Sequence, residues 1–169
     1  MIAVLRSSWA LLLGILLLMI GNGLQGTLLG VRGDIEGFDP ALLSYVISAY
    51  FIGFLGGSRM APGMIKRVGH VRVFAAMASM ISAAFILYAA APNLIVWAVL
   101  RLIVGFCFSC VYVVAESWLN DASDNENRGQ ALSLYVIVQM VGIVTAQGVL
   151  SLGDPAGYGL FILISVLVS

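Results

Sequence analysis

Apolar runs separated by short polar breaks set the pattern of this chain. The runs are Trp9–Val31, Ala41–Ala61, Arg72–Ala91, Leu94–Leu119, Gln130–Leu152 and Tyr158–Ser169. A membrane-crossing helix needs about 20 mostly apolar residues, so each of the first five predicts a span. The breaks carry residues that cannot stay in lipid: the charged turn Arg32–Pro40, the tight turn Pro92-Asn93, the polar stretch Asp121–Arg128, and Gly153-Asp154-Pro155-Ala156-Gly157. Lipid admits only helices or closed barrels, and these runs are too long and too unalternating for barrel strands. The expected fold class is therefore all-α, a polytopic membrane helix bundle of six transmembrane helices occupying residues 1–169. The sixth run would rise only about 18 Å against a hydrocarbon core of about 30 Å, which predicts an incomplete last helix.

The first run follows Arg6, as a secretory signal would. Its apolar character continues past Asn22 and Gln25 to Val31, longer than an h-region of about 7–15 residues, so it reads as an uncleaved first span. Composition agrees with a membrane protein: 62% apolar and 9% charged residues, with mean hydropathy +1.08. The zero net charge matters less than where the charges lie. Arg6, Arg59, Lys66, Arg67, Arg72 and Arg128 fall on one side of the spans, and Arg32 alone near a span end on the other. Basic loops stay inside, which places the N-terminus in the cytoplasm. No basic tail or patch suits nucleic acid. Cys107 and Cys110 lie inside an apolar run and read as small filler; without a second pair or a neighbouring His they complete no metal site.

Arg101 is the polar position that changes the picture most, because it sits in the middle of an apolar run. A charge at the bilayer centre costs about 2.5–3.5 kcal/mol on insertion scales and marks a solute or ion pathway. Arg101, Gly105 and Ser109 recur at a spacing of four, giving one helix face with a charge and two small residues that admit a close neighbour. The competing reading is an arginine that snorkels to the outer interface near Asn93. Asn22 and Gln25, one turn apart, could face the same cavity or bond a neighbouring helix. Gln139 and Gln147 lie in the fifth run and Glu116 in the fourth. Glu116 could exchange protons, as a partly buried carboxylate with a raised pKa does, or pair with a basic group of the Arg59–Arg72 loop. Since polar side chains face inward, helices one and four are expected innermost, two and five beside them, and three outside. Gly26 with Gly30, and Gly53 with Gly57, read as packing notches; Tyr45, Tyr50, Trp9, Trp97 and Trp118 read as interface or packing aromatics; His70 reads as a loop residue.

Arg101-x-x-x-Gly105, then Asp121, then Arg128-Gly129 opening the fifth run and Gly142 within it, resembles the Major Facilitator Superfamily. More narrowly, Gly21-Asn22-Gly23, Leu28-Leu29-Gly30, Lys66–His70 and Ala115–Asn120 resemble a bacterial inner-membrane subgroup whose substrate is unassigned. The resemblance covers essentially the whole chain and implies the N-terminal six-helix half of a twelve-helix fold. The family's signature between helices two and three is Gly-x-x-x-Asp-Arg-x-Gly-Arg-Arg. Arg67 and Gly69 match it, whereas Lys66 replaces the acid and His70 the next arginine. In the family this segment resembles a latch pairing with the fourth-helix acid. Here Lys66 or Arg67 could pair with Asp121 instead, or the basic groups could serve only as a topology signal. The fifth run has Ala146-Gln147 where drug/proton antiporters resemble one another in a Gly-Pro bend, which argues against drug export.

The resemblance implies a secondary active transporter in a bacterial inner membrane that moves a small-molecule solute by alternating access. Its partners would be the lipid bilayer and a second, C-terminal six-helix bundle. With no nucleotide-binding loop, an ion gradient should supply the energy, the proton by resemblance. Pathway candidates are Arg101, Asn22, Gln25, Gln139 and Glu116; gating candidates are Lys66, Arg67, Gly69, Asp121 and Arg128. No cofactor or metal is expected. The spans hold no catalytic constellation, so an enzyme is not expected either. The alternative is a non-transporting membrane scaffold or an inactive fragment, which an ending inside the sixth run would suit.

Overall fold

The computed structural model describes residues 2–124, 127–154 and 157–169, without the side chains of 2–7 and 152. Arg6, and Pro155-Ala156 of the last expected turn, therefore lie outside the described side chains and residues. The chain forms α1 (Ile2–Ile35), α2 (Pro40–Val68), α3 (His70–Ala90), α4 (Leu94–Asp121), α5 (Arg128–Leu152) and α6 (Gly159–Val168). Five of these are long and apolar enough to cross a membrane, and α6 is shorter. Helices begin where side chains can take up the orphan amides of a first turn. Asp39 Oδ1 accepts from the amides of Ala41 and Leu42 at 2.8 and 3.2 Å, with Pro40 opening α2. Asn93 Oδ1 does the same for Ile95 and Val96 at 2.9 and 3.3 Å.

Helix α2 corrects one expectation. The sequence suggested a span ending at Ala61, yet the helix runs through Pro62 to Val68. A proline removes one backbone hydrogen bond, which membrane helices tolerate because neighbouring groups re-satisfy the backbone. The helix stops instead at Gly69, whose φ of +86° is open to glycine and strained for other residues. Its amide still donates to the Ile65 carbonyl at 2.8 Å. The expected loop from Lys66 to His70 is therefore the last turn of α2, one hinge residue, and the first residue of α3.

The helices pair at a distance in sequence. α4 packs along α2 and α3, α1 packs along α5 and α6, and α3 meets α6; α2 and α3 scarcely touch although one residue joins them. Exchanging α1, α2 and α3 for α4, α5 and α6 maps α2–α4 onto α5–α1 and α3–α4 onto α6–α1, and leaves α3–α6 in place; α1 and α4 run in opposite directions. This is the pattern of an inverted repeat. Glycines set the seams. A Cβ at Gly53 would run into the Leu102 carbonyl, one at Gly57 into that of Phe106, and one at Gly105 into that of Tyr50. On the α1–α5 side, Gly23 lies against Ala146 and Gly142 against Met19 and Leu16. Gln147 Nε2 adds a hydrogen bond to the Gly23 carbonyl at 3.3 Å. Gly26 and Gly30, expected as notches, meet no neighbour within 4 Å.

More than half of the apolar window of α1 and of α4 is buried (56% each), in line with an inner position. Helix α3 is the surprise, with 44% buried against 11% for α2 and 17% for α5. One face of α3, including Val71, Met80, Ile86 and Leu87, is exposed. The other face, carrying Met77, Ile81, Phe85 and Tyr88, is buried. Ser82 Oγ donates to the Ser165 carbonyl at 2.9 Å and fastens α3 to α6. The expectation that α3 lies outside rested on its few weak polar groups; the face it buries against α4 and α6 is apolar. The uncovered faces belong to α2 and α5, with Phe51, Ile52 and Leu55 on one and Ile137, Met140 and Val144 on the other.

Candidate functional site: a buried guanidinium and an exposed carboxylate on one helix

The Gly105 notch lets α2 approach α4 closely, and this brings Tyr50 beside Arg101. The guanidinium carbon of Arg101 lies 5.3 Å from the centre of the Tyr50 ring, within the range of a cation–π contact. Arg101 is only 6% exposed, its side chain packed within the bundle. Arg32 and Glu36 form an ion pair at 2.6 Å, and His70 Nε2 lies 3.8 Å from Asp121 Oδ2, an ion pair only when the ring is protonated; neither contact involves Arg101. Its Nε has no hydrogen-bond partner among the described residues.

Helix α1 supplies amides to the same region. Gln25 Nε2 donates to the Tyr88 hydroxyl at 3.3 Å, while its Oε1 is buried without a partner among the described residues. Asn22 Nδ2 donates to the Tyr112 hydroxyl at 3.2 Å, and that hydroxyl donates to Met19 Sδ at 3.4 Å. Asn22, Gly26, Ile47, Tyr50, Phe51 and Arg101 enclose a cleft of about 200 Å³. The structure thus brings Asn22 and Arg101 to one cavity, with Gln25 buried alongside.

Glu116 and Gln139 lie elsewhere. About 22 Å along α4 from Arg101, Glu116 is exposed and borders a cleft of about 440 Å³ with Ser109, Tyr112, Tyr135 and Gln139. The second reading of Glu116, a pair with a basic group of the 59–72 segment, is not formed among the described residues. Tyr112 links the two regions, since it bonds Asn22 and also lines the Glu116 cleft.

At the end of the bundle where α2 meets α3, the expected pairing is corrected. Lys66 and Arg67 are exposed on the last turn of α2, and neither pairs with Asp121. The partner is His70, whose Nε2 is 3.0 Å from Ser117 Oγ and 3.8 Å from Asp121 Oδ2, with its ring 6.1 Å from Trp118. The pairing expected from sequence lay across the ends of α2 and α4, with Lys66 and Arg67 in a loop between α2 and α3. Because α2 stays helical to Val68, the first residue of α3 reaches the end of α4 instead. Gly69 supplies the hinge, and Arg128 is exposed at the start of α5.

Sequence reasoning missed Tyr50, Tyr88, Tyr112, Ser117 and the role of His70. One signal was available: Tyr50 lies about 15 Å into α2, too deep for an interfacial belt. Trp97, by contrast, is a packing aromatic, fully buried and donating through Nε1 to the Tyr88 carbonyl at 3.2 Å. Cys107 and Cys110 are buried with free thiols. No three His, Cys, Asp or Glu side chains converge on a possible metal among the described residues.

Comparison with known proteins places this architecture. The family model of the Major Facilitator Superfamily matches residues 11–169. An uncharacterised MFS-type transporter of Enterobacter sp. (strain 638) is 30% identical over 141 residues, which is 83% of this chain and 37% of that protein. The uncharacterised MFS-type transporter YcaD of Escherichia coli O45:K1 is 32% identical over 146 residues, 84% of this chain and 37% of its own length. The chain thus aligns with little more than a third of these relatives. No solved structure matches it.

Proposed function

This chain belongs to the Major Facilitator Superfamily, and from that premise we propose that it is the N-terminal bundle of a secondary active transporter. The transporter carries a small solute by alternating access, coupled to protons, in a bacterial inner membrane with its N-terminus in the cytoplasm. The C-terminal bundle covers the exposed apolar faces of α2 and α5. The short alignment against longer relatives and the little-buried α2 and α5 support that arrangement. Solute binds beside α1 and α4 at Arg101, Asn22 and Gln25, while Glu116 and Gln139 line the pathway further along. Gly69, Lys66, Arg67, Asp121 and Arg128 form the gating end, to which His70 is added here.

The observation that carries this reading is Arg101, buried in an apolar bundle with no carboxylate beside it among the described residues. Such a charge is costly to keep and is found where a pathway uses it. The test is reconstitution of the intact protein into vesicles loaded with a pH-sensitive dye, followed by addition of pools of organic acids, sugars and amino acids. One pool is expected to drive proton flux, and Arg101→Ala to abolish it without preventing folding. Unaltered flux in the variant would remove Arg101 from the pathway, and no flux from any pool would count against proton-coupled transport.

A further inference from the structure

We propose that the Arg101 cleft binds the anionic group of the solute, a carboxylate or phosphate whose apolar body lies along Ile47 and Phe51. This deepens the transport reading and rests on it. A guanidinium does not lose its proton in proteins, so Arg101 holds a fixed positive charge and cannot serve as the titrating group of the pathway. A fixed charge 6% exposed needs a counter-charge, and the acids of the chain are occupied or distant. Glu36 pairs with Arg32, Asp39 caps α2, and Asp121 faces His70. Asp34 lies at the end of α1 and Asp154 beyond α5. Asp124 and, by sequence, Glu126 belong to the α4–α5 connection. Glu116 is about 22 Å away along the helix.

The residues of the cleft suit an oxyanion. Tyr50 lies beside the guanidinium, 5.3 Å from its carbon to the ring centre, and Nε is a buried donor without a partner among the described residues. Guanidinium donors bind carboxylate and phosphate in pairs. Asn22 lines the same cleft and can approach the ligand from α1. The space of about 200 Å³ has an apolar wall in Ile47 and Phe51.

The experiment measures thermal unfolding of the intact protein in detergent with benzoate, phenyl phosphate, benzamide or benzylamine at matched ionic strength. Benzoate or phenyl phosphate is expected to raise the midpoint, and which of them does so separates carboxylate from phosphate recognition. Benzamide and benzylamine are expected to leave it unmoved. Arg101→Gln should weaken anion binding roughly ten- to a hundredfold, the worth of hydrogen bonds to a charged group, and Arg101→Lys should restore part of it. Asn22→Asp places a carboxylate in the same cleft and should abolish the anion shift while raising the basal midpoint, a result available even if Arg101→Gln does not fold. The proposal is overturned if neither anion shifts the midpoint, if benzylamine shifts it more, or if the shift survives Arg101→Gln. The vesicle assay reads the transport reading separately. A neutral or cationic solute moved in an Arg101-dependent way would sink the anion assignment and leave transport standing, whereas anion binding without solute flux would do the reverse.

Discussion

Arg101 and Glu116 ride on the same helix, yet the bundle treats them in opposite ways. The guanidinium is buried, 5.3 Å from the centre of the Tyr50 ring on α2, while the carboxylate is exposed beside a wider cleft. The cation sits where α2 is drawn tight against α4 by Gly53, Gly57 and Gly105. Near the anion, α4 borders α5 with far less contact. Close packing determines which charge is hidden. A buried charge without a protein partner is a liability for stability, whereas one open to a water-filled cleft costs far less, so the two should respond differently to neutralisation.

The sharpest way to break this contrast is Arg101→Met, which keeps the length of the side chain and removes the charge. If Arg101 is kept for function, melting of the intact protein in detergent should be unchanged or raised, by at most the roughly 2.5–3.5 kcal/mol that an arginine costs at a helix centre. A marked fall would mean that the charge has a structural partner. Next comes the seam that buries it. Gly53→Leu forces a side chain onto the Leu102 carbonyl and should destabilise by roughly 1–3 kcal/mol or more, with Gly26→Leu as a control that meets no neighbour. Equal losses from the two would refute the notch. The smallest effect belongs to Glu116→Gln, expected within about 0.5 kcal/mol of the parent in the same melt. If it slows solute-driven proton flux all the same, the exposed carboxylate acts in the pathway and not in the fold.

Much of the fold was legible because lipid imposes a simple rule, and an apolar run of sufficient length has to become a helix. Pro92-Asn93 ended α3 as expected, with Asn93 capping α4; of the expected Arg32–Pro40 turn, Arg32 to Ile35 extend α1 and Asp39 caps α2. Pro62 was misread, because a proline that breaks a helix in water is tolerated within a packed membrane bundle. The burial of α3 was invisible for a different reason: apolar residues look alike whether they face lipid or a neighbouring helix. Around the site, Asn22, Gln25 and Arg101 declared themselves as polar groups out of place. Their tyrosine partners did not, since a tyrosine suits an interface, a core or a site equally well. His70 was hidden by its position, because Gly69 looked like part of a loop until the helices on both sides of it were seen to be continuous.

The one-residue hinge at Gly69 also bears on the order in which the bundle can assemble. Helices α2 and α3 diverge from it and scarcely meet, and α4 fills the angle between them. A nascent chain that has delivered α2 and α3 to the membrane therefore holds an open wedge, with the backbone at Gly53 and Gly57 facing lipid. The wedge stays unfilled until the fourth segment leaves the ribosome. Helix α1 waits longer still, for α5 and α6. The α2–α4 seam thus cannot close until the fourth segment has been made, and cysteines placed on α2 and α4 away from the notch glycines should cross-link only in chains arrested beyond Asp121.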